Sequence, residues 1–376
     1  MKIFVSLVFL VILTSIVTTN LMEVKIMPET VTSPSCNIYV VKNIDNKNIG
    51  DKNSSRGIAK SLKDKITLLG KCTTTILEYT VGEKESLEKA ASADIKSIII
   101  SAGSYGIDFI ESLSPSNHNF VIWSGHQIYT ELKTISGKAS IIAIPSYVMN
   151  DKVRETFAGE NTKIIEVPGV AGDSDEAFLV GEYNKYPSLH NKEKAVIVFI
   201  GGNAPTEDGK IKEMTLGDAF NLGTAAATLA LKNHAFVFAT NSPRTTNEQL
   251  KEFEHGLAHA GLAQEQYHIF DFHSGERLYP ALLYMASLSQ NDVIVTGESS
   301  SMVRDSIEQA HKKIYVYLTS SMNDSHNKQI EYELKEGRVN IVSGESFDCL
   351  SYEYIPPTPI TEMITQGVLE EINWEF

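Results

Sequence analysis

Short runs of valine and isoleucine recur along this chain and alternate with segments of helical periodicity. Strands are continuously apolar when both faces of a parallel sheet are covered by helices. The pattern therefore predicts an α/β fold with two Rossmann-like domains whose parallel sheets face a central cleft. The predicted strands are residues 38–41, 75–79, 95–101, 120–124, 140–144, 163–167, 196–200, 236–240, 268–270, 293–295 and 314–318.

The intervening periodic segments set the domain organisation. A length of 376 residues favours two domains of ordinary size. We expect an N-terminal domain over 37–185, a C-terminal domain over 190–350 and a terminal helix within 351–376. The predicted helices between the strands are residues 54–65, 83–92, 216–232, 246–260, 278–289 and 302–311.

Charge and cysteine content exclude several classes of function. The chain carries 33 basic and 47 acidic residues, a net charge of −14, so we expect no nucleic-acid partner. Cys36, Cys72 and Cys349 are few and have no C-x-x-C spacing. This argues against a disulfide framework and a zinc site, and we expect neither a metal nor a cofactor.

The first residues differ from the rest of the chain. Residues 3–17 are almost entirely apolar and follow Lys2. We predict a signal-like or membrane-anchor segment over residues 1–22. The alternatives are a buried strand or a misplaced start codon. The protein would be exported or held at a membrane through residues 1–20, or cytoplasmic if that segment is not a signal.

Three predicted strands of the second half end in turns rich in glycine, serine and threonine. Ligands of open α/β sheets bind at the carboxyl ends of the strands, and free N–H groups at a helix start bind phosphate. We therefore predict a diphosphate site formed by Gly201, Gly202, Asn203, Ser242, Arg244, Thr245, Thr296, Glu298, Ser299, Ser301, Met302 and Asp305.

The chemistry of the individual side chains supports that prediction, although each has a structural alternative. The two glycines would admit a phosphate close to the backbone. Arg244 would bind a diphosphate through its planar guanidinium, unless it forms an ion pair. Ser299 and Ser301 would complete the site, unless they only cap a helix. Glu298 and Asp305 would accept hydrogen bonds from sugar or ribose hydroxyls.

The turns also resemble, in order and spacing, those of the mitochondrial fission Elm family. Its Ser-Arg-Arg-Thr-Pro element reads Ser242-Pro243-Arg244-Thr245-Thr246 here, and its Thr-Ala-Asp-Ser-x-Ser-Met run reads Thr296-Gly297-Glu298-Ser299-Ser300-Ser301-Met302. Residues 45–59 resemble its Asp-Gly-Lys-Ala-Gly opening. Pro243 replaces a family arginine, and Glu298 replaces an aspartate.

Members of that family resemble glycosyltransferases of the GT-B type. The resemblance implies a metal-independent transferase that binds a nucleotide-diphosphate sugar on residues 190–350 and an acceptor on residues 37–185. His126 and Asp45 are the candidate catalytic bases, with Asp51 as an alternative. The other interpretations are a non-catalytic scaffold that acts in membrane dynamics through protein contacts, and an NDP-sugar epimerase.

Overall fold

The computed structural model describes residues 35–44, 49–93, 96–116, 119–157, 161–173, 175–206, 210–312, 314–343, 346–347, 354 and 357–372. Residues Pro34–Phe376 form one compact unit that holds two large sheets. The predicted segment 1–22 and Asp45 lie outside the described residues. Among the helices that are described, none is both long enough and apolar enough to cross a membrane.

The first sheet has six strands, all parallel, in the order β2-β1-β3-β4-β5-β6. We call this sheet and the helices that cover it the first lobe. Its strands are β1 (Ser35–Lys42), β2 (Thr73–Thr80), β3 (Lys96–Ala102), β4 (Asn119–Ser124), β5 (Ile141–Pro145) and β6 (Lys163–Val167). Its helices are α1 (Ile49–Leu68), α2 (Lys84–Ala93), α3 (Gly103–Ser112) and α4 (Asp151–Phe157).

The second sheet follows the Rossmann order and forms the second lobe. Its order is β11-β10-β7-β12-β13-β14-β15, and only β15 runs antiparallel to its neighbour. Its strands are β7 (Ala195–Ile200), β10 (Phe236–Asn241), β11 (Tyr267–Phe270), β12 (Asp292–Thr296), β13 (Ile314–Tyr317), β14 (Val339–Ser343) and β15 (Ser346–Phe347); a small hairpin pairs β8 (Ala204–Pro205) with β9 (Ile211–Lys212).

The helices of the second half pack on both faces of that sheet, as continuous apolar strands require. They are α5 (Glu176–Asn184), α6 (Pro187–His190), α7 (Leu216–Asn233), α8 (Asn247–His259), α9 (Tyr279–Ser287), α10 (Ser300–Ala310) and α11 (Asp324–Lys335). Although α5 lies within the predicted first domain, its Leu179 is buried in the core of the second lobe.

The helix that follows the second lobe returns to the first. In α12 (Ile360–Glu371), Ile360, Ile364 and Val368 are buried among Ile38 and Ile58 of the first core. The fully buried Arg304 of α10 donates from Nη2 to the carbonyl of Thr358, at 3.2 Å, just before α12 begins. The predicted terminal helix therefore exists and covers the first sheet.

The two parallel sheets confirm the predicted α/β fold, but the argument against disulfide bonding is wrong for one pair of cysteines. Cys36 and Cys72 form a disulfide, with their Cα atoms 5.9 Å apart. The cause is strand register: β1 pairs with β2 so that Cys36 lies opposite Thr74, two residues from Cys72. Sequence spacing alone does not show that two cysteines start neighbouring strands.

Candidate functional site

The carboxyl ends of the two sheets meet across a cleft. In each sheet the strand order reverses beside the first strand, and ligands of open α/β sheets bind at such a switch point. In the second lobe the switch lies between β7 and β12, and in the first it lies between β1 and β3. A Cβ atom on Gly50, near the start of α1, would lie 3.1 Å from Oγ of Ser301, in α10. The lobes therefore meet at these two helix starts.

The two glycine amides after β7 are occupied within the protein. Gly201 donates to Oγ1 of Thr296 at 2.8 Å, and Gly202 donates to Oε1 of Glu298 at 2.6 Å. Gly202 has φ +89°, and a side chain there would meet the backbone of Arg244 and Thr245 at 2.7 Å. Both amides therefore have acceptors within the protein, and the glycines serve a tight turn; that they admit a phosphate close to the backbone stays a prediction.

Glu298 is the centre of this buried network. It also accepts from Oγ1 of Thr296 at 2.6 Å and from Oγ1 of Thr319 at 2.8 Å, and its side chain is fully enclosed. Burial raises the pKa of Glu298, while the hydrogen bonds and the charge of Arg244 oppose that rise. Its oxygens accept hydrogen bonds from the protein itself and support the turn, and the predicted contact with a sugar or ribose hydroxyl stays a prediction.

Several other predicted ligand residues also build the turns. Ser242 donates to the carbonyl of Gly201, and Thr245 donates to the carbonyl of Ile200 at 3.2 Å. Asn203 uses Oδ1 to accept from the amide of Met214 at 3.0 Å and from Gln249 at 2.7 Å. Met302 packs its side chain against the core of the second lobe. That these four side chains also contact a ligand stays a prediction.

Arg244 differs from these residues because its guanidinium has no acceptor among the described residues. Its backbone is fixed, since the amide donates to Oγ of Ser242 at 3.0 Å and the carbonyl accepts from Asn203 at 3.1 Å. The side chain is half-buried, and burial lowers its pKa, opposed only by the charge of Glu298. A desolvated guanidinium with no partner is costly unless a ligand supplies an acceptor.

Two histidines from opposite lobes lie close enough to Arg244 for its charge to act on them. Burial, followed by the charge of Arg244, lowers the pKa of His126 to about 4. The pKa of His326 is lowered to about 3, mainly by burial and further by the charges of His126, Arg244 and Lys212. Nδ1 of His326 accepts from the amide of Asn323 at 3.1 Å, so in the neutral ring the proton sits on Nε2. No motif in the sequence marks His326 as a site residue.

The start of α10 presents backbone amides without a side-chain cap. Its N-cap residue Ser299 makes no capping hydrogen bond, whereas Thr215, Thr246 and Asn323 cap α7, α8 and α11. Ser299 is buried and Ser301 is half-buried against Gly50. These uncapped amides are the part of the predicted diphosphate site that the structure leaves available to an anion.

A cavity of about 620 Å³ is lined by residues of both lobes, including Asp305 further along α10. Asp305 of α10 lines it and accepts from the hydroxyl of Tyr279 at 2.9 Å, and burial raises the pKa of Asp305 to about 7. A cationic side chain from each lobe lines the cavity. Lys52 of α1 has no ion pair within the described part of the chain, and the guanidinium of Arg277, in the second lobe, lies 5.2 Å from the ring centroid of Phe272. The cavity thus combines apolar walls, a carboxylate that accepts a hydroxyl, and cationic side chains from both lobes.

The first lobe contributes a carboxylate and a histidine. Asp51 lies in the first turn of α1, and its Oδ1 is 4.0 Å from Nδ1 of His126, which follows β4. Burial raises the pKa of Asp51 to about 7. Gly103, at the junction of β3 and α3, directly faces Asp51.

Comparison with known proteins gives no family assignment. No protein-family model and no curated protein matches this chain. MurG of Acinetobacter baumannii is similar in structure over 90% of this chain and 92% of its own, with 10% identity and a TM-score of 0.38. Anabaena Alr3699/HepE, solved with UDP-glucose, covers 90% of this chain and 96% of its own, with 11% identity and a TM-score of 0.39. Because both TM-scores are below 0.5, the fold assignment rests on the strand order.

No group of three or more histidine, cysteine, aspartate or glutamate side chains in the described ranges is arranged to hold a metal ion. His255 and His259 share one face of α8 at helical spacing. Their rings pack against Phe220 of α7, with centroid distances of 5.4 and 5.2 Å. Packing on an aromatic ring accounts for this pair.

Proposed function

We propose that this protein binds a nucleotide-diphosphate sugar in the cleft between its lobes, as a glycosyltransferase-like protein of the two-Rossmann type. The observation that carries the proposal is the half-buried guanidinium of Arg244, for which the described residues offer no acceptor. Two neutral histidines and the uncapped start of α10 lie around it. A diphosphate would supply the missing negative charge.

The cavity beside Asp305 suits the nucleoside end of such a ligand. The carboxylate of Asp305 already accepts one hydroxyl, from Tyr279 at 2.9 Å, and a ribose presents similar hydroxyl donors. Phe272 and the guanidinium of Arg277 line the same cavity and offer a flat surface for a base. The cavity volume of about 620 Å³ lies in the usual range for sites that bind small molecules.

The proposed reaction would use the same groups that bind the ligand. As the bond between the sugar and the diphosphate breaks, negative charge develops on the departing phosphate oxygen. The amides at the start of α10 and the guanidinium of Arg244 would stabilise that charge. The turn motifs further lead us to propose a distant relation to the Elm family, with the second lobe as donor side and the first as acceptor side.

Calorimetric titration with UDP, GDP, ADP, dTDP and their sugar conjugates tests the proposal. We expect one nucleotide class to bind, and Arg244→Ala to weaken that binding at least tenfold. The matched control is Arg154→Ala, because Arg154 is an exposed arginine paired with Glu166 away from the cleft. If no nucleotide binds the wild-type protein, the scaffold interpretation replaces this proposal.

We also propose that the chain folds in an oxidising compartment. The disulfide between Cys36 and Cys72 supports this, because such bonds are rare in reducing compartments. The predicted signal-like segment agrees with it. Maleimide labelling of cysteines in freshly lysed cells, before and after reduction, measures the redox state. Full labelling of Cys36 and Cys72 without reduction would contradict the proposal.

A further inference from the structure

We infer that Asp51 is the catalytic base that takes the proton of the acceptor hydroxyl, and that His126 is a positioning residue beside it. The inference rests on the proposed function and assigns the acceptor side of the same cleft. It favours Asp51, the alternative base in the sequence, over His126; Asp45 lies outside the described residues.

The backbone creates a place for the Asp51 carboxylate at the switch point of the first sheet. Gly103, the first residue of α3, has φ +67°, and a Cβ atom there would lie 2.2 Å from Oδ2 of Asp51. Only a glycine leaves this space for the carboxylate. The indole Nε1 of Trp123 donates to the carbonyl of Gly103 at 2.9 Å and fixes the turn.

The carboxylate makes no hydrogen bond to any described residue. Nδ1 of the neutral His126 lies 4.0 Å from Oδ1 of Asp51, and 18% of the Asp51 side chain remains exposed toward solvent. The hydroxyl of Tyr105, on α3, is also buried without a partner. An unpaired carboxylate beside an unpaired hydroxyl leaves room for a polar group of a ligand.

The titratable groups that face Asp51 favour it over His126 as the base. They are His126 after β4, Tyr105 on α3 and Tyr129, whose phenol pKa is raised by burial. Burial raises the pKa of Asp51 to about 7, whereas burial and Arg244 lower that of His126 to about 4. Near neutral pH, Asp51 is thus the stronger base, with a pKa close to the working pH.

The step is a single displacement in which every bond is accounted for. The acceptor oxygen forms a bond to the anomeric carbon while its proton passes to the Asp51 carboxylate. The bond from the anomeric carbon to the phosphate oxygen breaks, and its electron pair leaves with the nucleoside diphosphate near Arg244. Asp51 then releases the proton to water. Because the acceptor oxygen displaces the phosphate oxygen in one step at the anomeric carbon, the sugar is transferred with inversion.

Turnover of the nucleotide sugar found by titration, with water as the acceptor, tests the inference. We expect Asp51→Asn to lower kcat at least about 100-fold and to change the dissociation constant less than twofold. Asp51→Glu should restore part of the rate. The wild-type rate should rise with pH through about 7, and Asp51→Asn should lose that dependence. Asp64→Asn is the matched control, because Asp64 is an exposed aspartate of the same helix.

Two results would overturn the inference in different ways. Normal nucleotide binding with unchanged turnover and pH profile in Asp51→Asn removes Asp51 as the base and leaves the proposed function standing. Absence of nucleotide binding in the wild-type protein removes the proposed function and this inference together.

Discussion

Replacing Glu298 by alanine separates a supporting role from a ligand-binding role. The carboxylate accepts three hydrogen bonds, from Gly202 at 2.6 Å, Thr296 at 2.6 Å and Thr319 at 2.8 Å. In Glu298→Ala, Thr319 can turn to Ser321, whose Oγ is 2.9 Å away. The Gly202 amide and the Thr296 hydroxyl are left buried without partners. Each stranded donor costs about 1–3 kcal/mol, so we expect a loss of about 4 kcal/mol.

Glu298→Gln is the matched control for this experiment. The amide oxygen of glutamine can still accept from Gly202 and Thr296, and its NH₂ group can donate to Thr319. We therefore expect a loss of only about 1 kcal/mol. Both variants are compared with wild type by urea denaturation followed by circular dichroism, and by calorimetry. A loss of about 4 kcal/mol corresponds to roughly a 5 °C fall in Tm for a protein of this size.

The result that refutes this reasoning is specific. If Glu298→Ala unfolds at the wild-type urea midpoint but binds nucleotide as weakly as Arg244→Ala, then Glu298 contacts the ligand. The sequence prediction would then be right, and the buried network would not be the main role of this side chain.

Three further perturbations follow from other parts of the structure. Asp51→Asn should raise Tm at pH 8 but not at pH 4. The folded-state pKa of Asp51, about 7, exceeds its ordinary value of 3.8, so the wild-type native state loses stability as the pH rises from 3.8 to 7. An unchanged Tm at pH 8 would contradict this. Gly223→Ala should destabilise the protein by about 2 kcal/mol or more in calorimetry, because the new Cβ atom would lie 2.0 Å from the Phe253 carbonyl oxygen. Gly181→Ala is the control, because its Cβ atom would meet open space and should not destabilise the protein. The disulfide Cys36–Cys72 closes a separation of 36 residues, so its reduction should lower the unfolding free energy by about 4 kcal/mol. Urea titrations with and without reductant measure this difference, and equal midpoints would show that the bond is absent.

Elements with strong apolar patterns could be predicted from the sequence. The strand at 163–167 coincides with β6, because its Val/Ile pattern and its flanking residues mark both ends. The helix α11 was missed for a physical reason. Its buried face contains Ser325, His326, Gln329 and Glu333, so the sequence has no apolar periodicity there.

The location of the candidate site was easier to predict than the roles of its residues. Glycine and serine turns after the strands mark the switch point of the second sheet in the sequence. However, the sequence does not show that Glu298 reaches across to Gly202, since that contact joins residues separated by 96 positions. Asp51 was ranked below His126 because its unpaired state depends on Gly103, which is distant in the sequence but adjacent in the fold.

The return of α12 to the first sheet affects how the chain acquires its structure during synthesis. The core of the first lobe is incomplete until Ile360, Ile364 and Val368 cover it. These residues emerge from the ribosome after the whole second lobe. The first lobe is synthesised earlier, but one apolar face of it therefore stays uncovered until α12 is made. The second lobe can complete its packing first.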